Sequence, residues 1–230
     1  MQKLQQGLCC QQCHFSQLCL PYSFNGKEIE RLDDIVVRKN PYQKQQRLYI
    51  SGQPLVALYA VRSGSFKSFT LSENGEEQII AFHFPGDIIG FDGLASMHHQ
   101  SYTEALETSM VCEIPYDTLD HLAGVFPKLR QQITRIMSGM LCQHQGMLLQ
   151  LNQRSASERV LHFLASLGQR FGERGFSNKV FRLSMTRSDM ANYLGLSIET
   201  VSRLLTQLQR DNKIEVEGKQ ITLLDNVIAS

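Results

Sequence analysis

The sequence predicts an α+β chain in four parts: a cysteine-rich segment (1–20), an antiparallel β-roll (21–115), a long helix region (116–151) and a winged helix-turn-helix (152–230). Three observations carry that expectation. Four of the six cysteines crowd between Cys9 and Cys19, short apolar stretches alternate with glycine-bearing turns from Arg38 to Pro115, and a helix, tight turn and helix centre on Gly195.

The bulk properties set the frame. At 230 residues, 42% hydrophobic and 20% charged, the chain can build two modest cores. Met1 to Gly7 is polar with a single lysine, and no apolar run nears the roughly 18 residues of a membrane span, so the expected location is the cytoplasm, with no membrane partner. In a reducing compartment, crowded cysteines suggest metal binding or redox chemistry rather than disulfides. From Asn152 onward there are 11 Lys and Arg against 8 Asp and Glu, so charge gives only mild support to a nucleic-acid partner.

Within the roll, Leu55–Val61, Phe66–Leu71 and Gln78–Phe84 are apolar, and Gly52, Gly64, Gly75, Gly86 and Gly90 punctuate them, as expected of short antiparallel strands. Such a roll can enclose a pocket and act as a sensor. A long helix is predicted from about Pro127. Along it, Ile133, Met137, Met140, His144, Met147 and Leu151 alternate at spacings of four and three, the seam of a parallel helix pair that would make a homodimer. The same positions also suit a helix packed on its own domain.

Ser155 and Glu158 have capping-box spacing and open a helix whose apolar face is Val160, Leu161, Leu164, Leu167 and Phe171. Thr186 with Asp189 opens the next, Leu194-Gly195-Leu196 breaks it, and Ser197 opens a last helix to about Arg210. Val201, Leu204, Leu205 and Leu208 form its buried face. That leaves Glu199, Ser202 and Arg203 near the N-terminal end, where a recognition helix enters the major groove of double-stranded DNA. Arg203 can donate twice to guanine O6 and N7, Glu199 can accept from cytosine N4, and Ser202 can contact several bases. Arg187, Arg210 and Lys219 are candidate phosphate contacts, and Lys213 to Leu224, with its Gly218 turn, predicts a wing hairpin.

Cys10 and Cys13, two residues apart, and Cys19 after five more put three thiols on one short loop, enough to share a cluster; a fourth must come from Cys112 or Cys142. Cys142 falls between seam positions, where a free cysteine acts as a small hydrophobe.

CQQCHFSQLCLP at Cys10 to Pro21, ALETSMVCEIP at Ala105 to Pro115 and MTRSDMANYLGLSIETVSRLL at Met185 to Leu205 resemble the fumarate and nitrate reduction regulators. These form the oxygen-responsive branch of the cyclic-AMP receptor protein superfamily, and the resemblance runs nearly end to end. It implies a roll of the cyclic-nucleotide-binding type and a four-iron, four-sulfur cluster (4Fe-4S) held by Cys10, Cys13, Cys19 and Cys112. It also implies base reading by Glu199, Ser202 and Arg203 at inverted TTGAT half-sites. An intact cluster would favour the dimer that binds this palindrome, and oxygen would convert the cluster to a smaller form and let the dimer fall apart. The Ser72 to Glu77 loop and the region of Ser177 correspond to the family's RNA polymerase contacts. The chain departs from the family pattern at Cys9 and His14, and at Met140 and His144, where the family carries acidic residues. Ile198 stands where cyclic-AMP receptors carry arginine.

Three other readings stay open on the residues alone. Cys10, Cys13, His14 and Cys19 could bind zinc; the roll could take a cyclic nucleotide, although the Phe84 to Gly90 turn is followed by no Arg-Ser or Arg-Thr phosphate clamp; and Cys10 with Cys13 could form a thiol oxidoreductase pair.

Overall fold

The computed structural model describes residues 10–22 and 24–224, with side chains of 150–153 excepted. The chain divides into two compact units, Met1–Ser68 with Phe82–Met140, and Phe69–Ala81 with Leu141–Ser230.

The cysteine segment begins with a 3-10 turn, Cys10–Gln12. Helix α1 (Gly26–Ile35) follows, opened by a capping box in which Asn25 accepts from the Glu28 N–H and Glu28 accepts from the Asn25 N–H. The roll is built from β1 (Val37–Arg38), β2 (Arg47–Tyr49), β3 (Ala57–Ser63), β4 (Phe66–Leu71), β5 (Glu77–His83), β6 (Ile88–Ile89), β7 (Tyr102–Ala105) and β8 (Met110–Pro115). They form two four-stranded sheets, ordered β1-β8-β3-β6 and β2-β7-β4-β5. Strand β3 is buried over its first five residues, as a central strand demands. Tyr59, Phe66, Ile89 and Val111 fill the interior of the roll.

A second core lies outside the roll. Leu20, Leu32, Leu58, Ile114, Leu119 and Leu129 are almost wholly buried together, and Cys19, Cys112, Ile133 and Ile136 pack against them. It joins the cysteine segment, α1, the roll, helix α2 (Tyr116–Val125) and the first half of helix α3 (Pro127–Gln153).

The second unit contains α4 (Ala156–Glu173), β9 (Val180–Arg182), α5 (Arg187–Leu194), α6 (Ile198–Arg210), β10 (Ile214–Glu217) and β11 (Gln220–Leu223). Capping boxes at Ser155–Glu158 and Thr186–Asp189 start α4 and α5, and Ser197 caps α6. Gly195 ends α5 in the left-handed conformation (φ 63°), which turns the chain into α6. Strands β10, β11 and β9 form a small antiparallel sheet. Within this unit the Asn192 amide donates to the Glu77 carbonyl (2.6 Å) and accepts from the Ile79 N–H (2.7 Å), which holds the β4–β5 hairpin to α5. Among the described residues no helix is long and apolar enough to cross a membrane.

Two glycines in helices have opposite surroundings. A Cβ on Gly168 would sit 2.4 Å from the Asn178 carbonyl and 2.9 Å from Leu223, whereas one on Gly139 meets nothing within 4 Å. Gly168→Ala is therefore expected to destabilise the protein by about 1–3 kcal/mol through overpacking. Gly139→Ala is expected to stabilise it by about 0.5–1 kcal/mol, because alanine loses less backbone entropy in a helix. Thermal unfolding of the two variants beside the parent checks both signs.

Candidate metal centre and nucleic-acid interface

The four cysteines of the predicted ligand set line one cavity. Cys10, Cys13 and Cys19 reach it from the N-terminal loop and Cys112 from β8, around a volume of about 170 Å³. Short backbone hydrogen bonds fold the loop: Cys13 N–H to the Cys10 carbonyl (3.3 Å), Ser16 N–H to that of Cys13 (3.1 Å), and Cys19 N–H to that of Phe15 (3.1 Å). All four are half-buried. Cys142 is exposed on α3 and does not line the cavity, and Cys9 lies outside the described residues.

Burial sets the chemistry of these thiols. It raises Cys10 well above the ordinary thiol range, and the Asp33 carboxylate, by hydrogen bond and charge, raises it further. Burial pushes Cys19 up to about 12 against the opposing hydrogen bond from the Leu20 N–H. Cys112 is raised by burial, which Arg38 and Arg62 oppose. Metal-free, these three thiols hold their protons at neutral pH, and binding a metal displaces them. A redox pair needs the reverse, a thiol pKa lowered toward neutrality.

Four thiols facing one cavity are a donor set that suits an iron–sulfur cluster. Among the described residues, no group of three or more His, Cys, Asp or Glu is gathered closely enough to hold a metal ion. His14 is exposed. Four thiols spread around a void, with two guanidinium groups in its wall, match the charge of an anionic iron–sulfur cluster. The loop rests on the Gly86 turn: a Cβ there would lie 3.1 Å from Leu18 Cβ, and φ is +94°.

The cysteine loop is tied to α3. Buried Gln132 donates its amide to the Cys19 carbonyl (3.0 Å), and Arg135 stacks over Tyr22 at 4.3 Å. The predicted seam positions diverge. Ile133 packs into the second core with Ile136, and Met147 lines a cavity with Phe163 and Tyr193. Met137 and His144 are exposed, Met140 is half-buried, and the Leu151 side chain lies outside the described residues. Leu141 and Leu148, 58% and 60% exposed, join Met137 to make an apolar stripe turned slightly around the helix from the predicted one.

In α6, Val201, Leu204, Leu205 and Leu208 are buried, Glu199 and Arg203 exposed, and Ser202 half-buried. Glu199, in the first turn, is held below the usual carboxylate range by a backbone N–H and by Ser197. Arg187 begins α5 and is exposed, as are Arg210 and Lys219. In the roll, the stretch after Gly90 is filled from within. Gln100 N–H, Ser101 N–H and Ser101 O–H all donate to Asp92, and His99 stacks on Tyr49 with ring centres 3.6 Å apart. Burial opposes ionisation of Asp92, yet hydrogen bonds from His99 and Ser101 hold it below its ordinary value.

Comparison with known proteins bears on the fold and the family. The Crp-like helix-turn-helix domain matches residues 158–226, and the cyclic nucleotide-binding domain matches residues 39–124. Electron transport regulator A of Shewanella oneidensis is 52% identical over 94% of this chain and 87% of its own length. The fumarate and nitrate reduction regulatory protein of Escherichia coli K12 is 50% identical over 98% of this chain and 92% of its own. The chain belongs to the fumarate and nitrate reduction regulator family. Among solved structures, FixK2 of Bradyrhizobium japonicum is similar with a TM-score of 0.74 and 31% identity, over 82% of this chain and 93% of that one. As a family member, the chain is a DNA-binding transcription regulator and not an enzyme.

Sequence reasoning missed Asp33, Arg38, Gln132 and Asn192. The Asn25 to Glu28 spacing, followed by Ile29, Leu32 and Ile35, was the available signal for α1 and hence for Asp33. Gln132 and Asn192 act through backbone groups far away in sequence and leave no local trace.

Gly86→Ala is expected to lift the cysteine loop from its support. In metal-free protein, Cys19 and Cys112 should then react several-fold faster with a thiol reagent, while exposed Cys142 reacts at its parental rate. Gly52→Ala is the control: its φ is +82° but a Cβ meets nothing within 4 Å, so backbone strain arises there without the loop contact.

Proposed function

We propose that this family member regulates transcription of anaerobic metabolism in response to oxygen, activating some promoters and repressing others, through a 4Fe-4S cluster held by Cys10, Cys13, Cys19 and Cys112. The observation that carries the reading is that the three loop cysteines and Cys112, from distant parts of the chain, line one cavity. Bound there, the cluster supplies the oxygen-reactive centre. The names of similar proteins, "Anaerobic regulatory protein" in Haemophilus influenzae among them, support the anaerobic role.

The chain's own residues then divide the work. Residues 1–20 supply three ligands and 21–115 the fourth; Gln132 links the Cys19 backbone to the helix region 116–151; and 152–230 reads DNA. Homodimerisation uses α3 through Met137, Met140, Leu141, His144 and Leu148, with Ile133 and Met147 serving the chain's own cores. No acidic residue occurs from Pro127 to Gln153, so no carboxylates repel across the pair. Glu199, Ser202 and Arg203 read TTGAT-type inverted repeats, and Arg187 contacts phosphate. RNA polymerase meets the Ser72 to Glu77 loop and the region of Ser177. The cytoplasm is the proposed location.

Anaerobic purification with iron and sulfide analysis tests the centre. Serine variants of Cys10, Cys13, Cys19 and Cys112 are each expected to lose the iron, and Cys142→Ser to keep it. Full retention in Cys112→Ser would overturn the ligand set.

For DNA, Arg203→Ala is expected to weaken binding to the palindrome by about 1–3 kcal/mol per lost guanine contact and to relax discrimination at that base. Arg210→Ala should weaken specific and random DNA alike and flatten the salt dependence. Competition binding at two salt concentrations separates the two roles.

For the dimer, Leu141→Glu and His144→Asp are each expected to raise the dissociation constant at least tenfold by sedimentation. Leu149→Glu, exposed but off the stripe, should leave it unchanged.

A further inference from the structure

We propose that Asp33 and Arg38 are positioning residues of the cysteine cavity: their ion pair joins the Cys10 end of the ligand set to the Cys112 end, and the Arg38 Nε–H serves a ligand sulfur. The proposal deepens the cluster reading above and rests on it.

The geometry is specific. Asp33, in the last turn of α1, accepts the Cys10 backbone N–H at 3.0 Å, and the same carboxylate oxygen accepts from the Arg38 guanidinium. Arg38 is the antiparallel partner of Cys112 across β1 and β8. Directly paired residues project from the same face with Cβ atoms about 5 Å apart, so the guanidinium lies beside the fourth cysteine. It also lines the cavity. One carboxylate and one guanidinium thus link ligands that the chain separates by the whole roll.

The second observation concerns Arg38 alone. Its Nε is buried and has no hydrogen-bond partner among the described residues. Buried donors are almost always paired, so an idle one at the wall of a cavity lined by four sulfurs marks a partner of matching chemistry, an anionic sulfur acceptor. Groups that hydrogen-bond to metal ligands in this way orient them and tune the centre, and their loss costs 10- to 100-fold in metal affinity. Arginine suits the task because its fork can hold Asp33 with one nitrogen while Nε points elsewhere; lysine, a single point charge, cannot do both.

The test compares Arg38→Gln, Arg38→Lys and Asp33→Asn with the parent, each reconstituted anaerobically. Three quantities are read: iron and sulfide per chain, the rate of iron transfer to a chelator under argon, and the reduction potential by spectroscopic titration. All three variants are expected to lose iron at least tenfold faster than the parent, and the two Arg38 variants to show a lowered potential. Arg38→Lys carries the test if Arg38→Gln fails to fold, since it keeps the ion pair with Asp33. A lysine variant with parental rate and potential would overturn the proposal, leaving the pair as a tether for the loop. Parental rates in Asp33→Asn would overturn the part assigned to Asp33. Failure of the cluster reading itself looks different: the parent would then take up no iron and sulfide.

Discussion

The complete burial of Leu20 is the contact on which the cysteine site depends. Cys112 is fixed by the register of β8 with β1 and β3, but the other three thiols sit on a loop whose internal hydrogen bonds are short-range and which two side chains, Asp33 and Gln132, bond from outside. Leu20 follows Cys19 directly and is 0% exposed among Leu32, Leu58, Ile114, Leu119 and Leu129. Burying a leucine contributes about 1.5–3 kcal/mol, against about 0–1 kcal/mol for a solvent-screened ion pair. The apolar anchor therefore brings the loop to the roll. The Asp33–Arg38 pair, roughly a quarter exposed, orients what the anchor has delivered.

The nucleic-acid face rests on a different constraint, the agreement of local signals. Each of the three helices of the second unit starts at a side-chain cap, and each buries one face against the others. Because α6 spends Val201, Leu204, Leu205 and Leu208 on that core, Glu199 and Arg203 have nowhere to go but outward, at the end nearest the turn. This region was legible in the sequence for the same reason. Caps and helical periodicity act over three or four residues, and here no tertiary contact contradicts them.

The cysteine site and the α3 seam were legible only in part. Spacing and family resemblance picked out the four thiols, but Asp33 and Arg38 meet Cys10 through folding, and α1, which carries Asp33, passed unread although Asn25 and Glu28 announce its start. On α3 the alternation of four and three gave a helix with a continuous apolar edge. It could not say which of those apolar residues the chain uses itself. Ile133 goes into the second core and Met147 into the C-terminal unit, so the exposed stripe shifts to Met137, Leu141 and Leu148. The roll shows the converse. Its outline matches the cyclic nucleotide-binding domain, but no Arg-Ser or Arg-Thr pair follows the Phe84 to Gly90 turn, and Ser101 and His99 there bond Asp92 instead.

These placements bear on how an event at the cysteines could reach the proposed dimer face. Coupling between sites requires an element that both contact and whose equilibrium both bias. Helix α3 meets that requirement. Its first half is packed into the core that also holds Leu20 and Cys112, and Gln132, 5% exposed, bonds the backbone of Cys19, a proposed ligand, rather than its sulfur. A displacement of the loop that breaks this bond leaves a buried amide unpaired, at a cost of about 1–3 kcal/mol, the size of typical coupling energies between sites. Between one and two turns further along the helix, Met137 is exposed. A shift of Cys19 would therefore reach α3 directly, through the Gln132 hydrogen bond, the Arg135–Tyr22 contact and the core that Cys19 shares with Ile133 and Ile136.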